Sequence, residues 1–109
     1  METWNLADLD VQPHHPQVIS SQRGAARLIV LELPAGEMLQ DHEVHEHAWL
    51  HVHGGAVDVQ AGDETVRGEA GFVAHFAPQE RHEVRAVEDA HLLLFLAPWP
   101  GDGHPGSKG

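Results

Sequence analysis

"HAWLHVHGGAVDVQ" (His47 to Gln60) decides the fold class. Ala48, Leu50 and Val52 alternate with His47, Trp49, His51 and His53. In an extended chain those two sets point to opposite faces, so the segment reads as a strand with one apolar side. The pair Gly54–Gly55 then breaks the chain, and "AVDVQ" alternates again, the pattern of a hairpin or tight corner.

Outward from this stretch the same grammar repeats. "AARLIVLEL" (Ala25 to Leu33) is an apolar run rich in branched residues, bounded by "RG" and "PAG", and reads as a buried strand. "AGDE" turns the chain into the short strand "ETVRG", and "EAG" precedes "FVAHF" (Phe72 to Phe76). After "APQE" come "RHEVRAV" and "HLLLFLAPW", separated by "EDA". Many short strands with turn signals at close spacing predict an all-β sandwich or barrel. No segment carries a long 3.6-residue period; "NLADLD" suits a single helical turn opened by Asn5. The division expected is an N-terminal extension with a short strand (1–24), one barrel (25–99) and a flexible tail (100–109), whose "PGDGHPGSKG" is turn and linker chemistry.

Composition excludes several function classes. With 109 residues the chain suits one domain. The 17 acids against 6 bases give a net charge of −11 with histidine neutral, which repels phosphate backbones and anionic membrane surfaces. Neither nucleic acid nor membrane is expected as a partner. There is no cysteine, hence no disulfide and no thiolate ligand or nucleophile. The N-terminus lacks a basic region followed by an apolar run, so a cytoplasmic location is the default expectation. The serines, Ser20, Ser21 and Ser107, lie near the ends and offer no triad, and no Gly-rich phosphate loop follows a strand.

Histidine is the conspicuous residue. Five of the chain's 11 histidines (His42, His45, His47, His51 and His53) fall between Leu39 and Gly55. Imidazole suits zinc, copper, iron and nickel, and three protein ligands with an open position make a reactive centre.

From Gly36 onward the chain resembles a small cupin, the one-domain double-stranded β-helix or jelly roll. Two motifs carry the resemblance. The first, Gly, five residues, His-x-His, three or four residues, Glu, six residues, Gly, threads in two registers. In one, His42 is the second histidine with Gln40 in place of the first, His47 stands at the glutamate position, and Gly54 closes. In the other, Gly36 leads to His42 as the first histidine, Val44 replaces the second, Ala48 replaces the glutamate, and Gly55 closes. Glu46 takes the glutamate role if the spacer is short. The second motif, Gly, five residues, Pro-x-Gly, two residues, His, fits "GFVAHFAPQERH": Gly71 opens it, Pro78 is displaced by one, Gln79 replaces the second glycine, and His82 is in place.

The resemblance implies a histidine-lined barrel pocket with a divalent transition metal (zinc, iron, manganese, nickel or copper) on His42, His47 and His82, and a small organic ligand. Oxygenase, isomerase and hydrolase chemistries all occur in that family, so metal-dependent catalysis is one reading. A non-catalytic ligand-binding module with a degenerate metal site is the other. The identity at the glutamate position separates them: histidine or glutamate supports the first, Ala48 the second. Glu46, Trp49, His51 and His75 are candidate pocket residues. His14, His15, His53, His91 and His104 read as structural or surface residues. The apolar load of "AARLIVLEL" and "HLLLFLAPW" exceeds what one small barrel hides, and a homodimer is expected.

Overall fold

A computed structural model describes residues 1–42 and 44–104, with the side chains of residues 40–42 outside the description. A short 3-10 turn, Leu6–Asp8, opens on Asn5, whose side chain accepts the Ala7 N–H. Among the described residues nine strands follow: β1 Gln17–Ser21, β2 Ala25–Leu33, β3 Met38–His42, β4 His47–Gly54, β5 Ala56–Ala61, β6 Glu64–Glu69, β7 Val73–Phe76, β8 His82–Ala86 and β9 Ala90–Trp99. They form two sheets, one of order β1-β2-β9-β4-β7 and one of order β3-β8-β5-β6, with antiparallel pairing throughout. This is the jelly roll that the alternating strands imply.

Burial follows the alternation. Ala48, Leu50 and Val52 are at most 1 % exposed and share the core with Val57 and Val59 of β5, Val84 and Ala86 of β8, and Leu92 and Leu96 of β9. Each fully buried leucine or valine removes enough apolar surface from water to contribute about 1.5–3 kcal/mol. The two inner faces therefore zip the sheets together, and no helix is needed to cover them.

The corner between β4 and β5 needs glycine. Gly55 has φ +76, and a Cβ there would lie 2.0 Å from the Asp89 carbonyl oxygen. An L side chain can neither adopt that angle cheaply nor fit that space. Asp89 also accepts the Ala35 N–H through Oδ1 at 2.9 Å, tying the β2–β3 and β8–β9 turns together.

At the opposite end, Gln79 donates its backbone N–H to the Val44 carbonyl at 2.7 Å, clipping the β7–β8 turn to the β3–β4 connection. Gln79 has φ +66. The cupin pattern carries glycine at this position, and here a glutamine accepts the left-handed backbone at a cost of about 1–2 kcal/mol.

Candidate functional site

His82 opens β8, and the inward set of that strand, His82, Val84 and Ala86, is buried. Its ring stacks on Phe76 with centroids 3.8 Å apart and planes 6° from parallel. Its Nδ1 lies 3.0 Å from the Glu80 carbonyl. A carbonyl oxygen only accepts, so Nδ1 carries the hydrogen and Nε2 is the basic nitrogen of the neutral ring. Glu80 also folds its own carboxylate onto the Ala77 N–H at 2.9 Å, which stiffens the turn that delivers His82. A hollow of about 290 Å³ lies beside the ring, lined by Gln60, Gly62, Arg81, His82 and Glu83.

The sheet brings the two sequence-distant motifs to one place. His42 and His82 are Cα partners across β3 and β8, after a register shift between Leu39 and His42. The His42 side chain lies outside the description.

His47 lies on a different face from His82. Ala48, the next residue, is 1 % exposed and points into the core, so strand alternation turns His47 to the outer face of the five-stranded sheet. There its Nδ1 is 2.8 Å from His75 Nε2, and the two rings stack with centroids 5.1 Å apart. Trp49 stacks against both, at 5.7 Å from His47 and 5.0 Å from His75. His75 and Trp49 therefore belong to an outer-face aromatic cluster, not to the barrel interior. His51 lines a shallow apolar hollow of about 430 Å³ on the same face with Trp49, Leu93 and Phe95. Among the described residues no three His, Asp or Glu side chains are gathered around one point as a ready metal centre.

The same face continues into His53 and His91, with ring centroids 5.8 Å apart, and His51 lies 6.2 Å from His53. His91 Nδ1 is in close contact with Glu32. The His53 pKa is lowered, first by partial burial and then by the neighbouring His91 and His51. Crowded imidazoles disfavour one another's protonation.

Glu46 is 1 % exposed, the most deeply placed acid described. Its Oε2 accepts the Gly101 N–H at 2.7 Å and lies 3.1 Å from His104 Nδ1. Residues 101–104, expected from their turn chemistry to be loose, instead fold back onto the start of β4; residues 105–109 lie outside the description. Sequence reasoning placed Glu46 near the pocket but missed His104. Its partner is 58 positions away, and no spacing rule links them.

Among the described residues no helix is long and apolar enough to cross a membrane. The family described as "Cupin domain" matches residues 29–97. No curated protein matches. Among solved structures, an RmlC-like cupin protein from Desulfovibrio desulfuricans is 22% identical with a TM-score of 0.79, covering 90% of this chain and 97% of that one. A conserved protein with a double-stranded β-helix domain from Klebsiella pneumoniae is 18% identical, with a TM-score of 0.77 and 90% coverage of each chain. A cupin-2 domain protein from Shewanella frigidimarina is 18% identical, with a TM-score of 0.73, covering 84% of this chain and 91% of that one. At such identities these likenesses speak to fold alone, while the family match spans well over half of the 109 residues. The chain belongs to the cupin domain family.

Proposed function

We propose that this chain is a small-ligand-binding cupin module whose barrel metal centre is degenerate, with the ligand seated beside His82. The carrying observation is Ala48, 1 % exposed and inward-facing, at a position where the family pattern carries its glutamate. His47, a second candidate, faces outward, and Glu46, the third, is buried against Gly101 and His104. The described donors therefore do not make up the family's centre. What stands beside the 290 Å³ hollow is an imidazole with a fixed tautomer, a guanidinium and an amide, His82, Arg81 and Gln60, with the Glu83 carboxylate at its edge. That set suits a small organic acid, because the guanidinium and the amide donate to a carboxylate while His82 Nε2 accepts from a hydroxyl or a protonated carboxyl.

A thermal-shift series with mono- and dicarboxylates from acetate to adipate, with and without EDTA, tests this reading. The expected result is a saturable rise in Tm for one acid size, indifferent to EDTA and lost in His82→Ala. A ligand at 100 times its Kd stabilises by about 2.7 kcal/mol. A flat response to every acid, or a rise that needs metal, overturns it.

One observation favours the metal-dependent reading. His42 and His82 are register partners, and a carbonyl-anchored Nδ1–H is how ligating imidazoles are oriented. Stoichiometric zinc, iron, manganese, nickel or copper in untagged protein, absent from His82→Ala, would establish that reading instead.

A second copy of this chain is proposed as the partner, across the outer face of the five-stranded sheet. Two cross-strand rows, Leu28–Phe95–Trp49–His75 and Val30–Leu93–His51–Val73, hold only apolar and imidazole side chains. Trp49, Phe95 and Val73 are 36 %, 37 % and 56 % exposed. On a chain of net charge −11, rows without a carboxylate are where two copies approach with least repulsion.

A further inference from the structure

The segment after β9 is strapped across the start of β4, and its contacts are incomplete. The buried Glu46 carboxylate receives one N–H, from Gly101, at 2.7 Å. His104 Nδ1 lies 3.1 Å from the same oxygen, yet the two are not aligned as a hydrogen bond. His45 Nδ1 is also buried with no hydrogen-bond partner. The His45 and His104 rings lie 5.6 Å apart at 83°. The strap is held closely: Trp99 packs edge-on against His104 at 4.7 Å, and a Cβ on Gly101 would lie 2.2 Å from the His45 carbonyl oxygen.

A buried carboxylate beside two buried, unsatisfied imidazole nitrogens is unfavourable unless something completes the set. The 3.1 Å between His104 Nδ1 and Glu46 Oε2 is the spacing of an ion pair and equally that of two ligands on one ion. Bonds of about 2.0–2.2 Å at octahedral to tetrahedral angles place neighbouring donors roughly 2.9–3.5 Å apart. Imidazole with carboxylate is a donor set for zinc, cobalt or nickel. A hollow of about 380 Å³, lined among others by His45, His47, Gln79 and Asp102, gives an ion and its waters access.

We propose that Glu46, His104 and His45 form a divalent transition-metal site that pins the C-terminal strap to the barrel. Among the described residues no three donors already converge; the proposal requires the His45 ring to turn onto the ion. The site is distinct from the one at His82. It uses residue 104, beyond the family match that ends at residue 97.

Cobalt(II) titration of the untagged full chain, read by its visible absorption and by Tm, is the test. One equivalent is expected to bind and to raise Tm. His104→Ala, which alters a residue outside every strand, should weaken binding by more than about tenfold and abolish the Tm rise. Glu46→Gln, which keeps an acceptor for the Gly101 N–H, should do the same, while His82→Ala leaves the affinity unchanged. Failure to take up cobalt, which would leave a strap held by an ion pair or an ordered water only, overturns the proposal. So does His104→Ala binding as tightly as wild type, or an equal loss in His82→Ala.

Discussion

The two faces of β4 carry opposite chemistries on one eight-residue strand. Inward, Ala48, Leu50 and Val52 are sealed in the core; outward, His47, Trp49, His51 and His53 meet solvent and one another. The lesson concerns parity. A shift of one residue moves a side chain from the barrel interior to the outer surface. The two threadings of the first cupin motif differ by one residue at the glutamate position. The structure gives that inward place to Ala48 and sends His47 outward to His75.

The difference between the faces can be broken most severely from inside. Leu50→Ala removes a 1 % exposed side chain and should cost about 2–5 kcal/mol, lowering Tm by more than about 10 °C in thermal unfolding. An equal loss in His51→Ala, on the outer face, would refute the assignment of the two sides.

The outer face should answer in association rather than stability. Trp49→Asp places a charge in the proposed interface of an already acidic chain, and light scattering at low concentration should show the dimer mass fall to the monomer. A monomeric wild type, or a variant that stays dimeric, would dismiss that interface.

The smallest effect is in pH. The folded His53 pKa lies below its ordinary value, so between the two values the unfolded chain binds more protons. Stability is therefore lost as pH falls below about 6.5 toward the folded pKa. The side chain is half-buried and a single imidazole is involved, so this is the smallest of the expected effects. His53→Gln should flatten the slope of Tm between pH 7 and 5; an unchanged slope would remove His53 as its source.

Much of the fold was legible because strand alternation and turn chemistry are local. "AARLIVLEL" coincides with β2, and the strand read from His47 to His53 extends one residue further, to Gly54. Gly55, placed by sequence at a corner, has the positive φ such a corner needs. Gln79, read as a departure from the glycine pattern, keeps the left-handed backbone regardless, because the Val44 clip holds it there. The site was less legible. The crowding of histidines is plain in the sequence, but their grouping is not: His75 joins His47, His91 joins Glu32, and His104 reaches Glu46.

The sequence by itself determined an all-β chain with a cysteine-free core, an acidic surface and imidazoles concentrated along one strand. Periods of two and glycine corners are properties of neighbouring residues, and they act before any long-range contact forms. Only the tertiary structure decided which imidazole faces the barrel, which faces out, and that the residues after β9 close over a buried carboxylate. Those outcomes depend on sheet pairing and strand register between segments tens of residues apart, which no local pattern encodes.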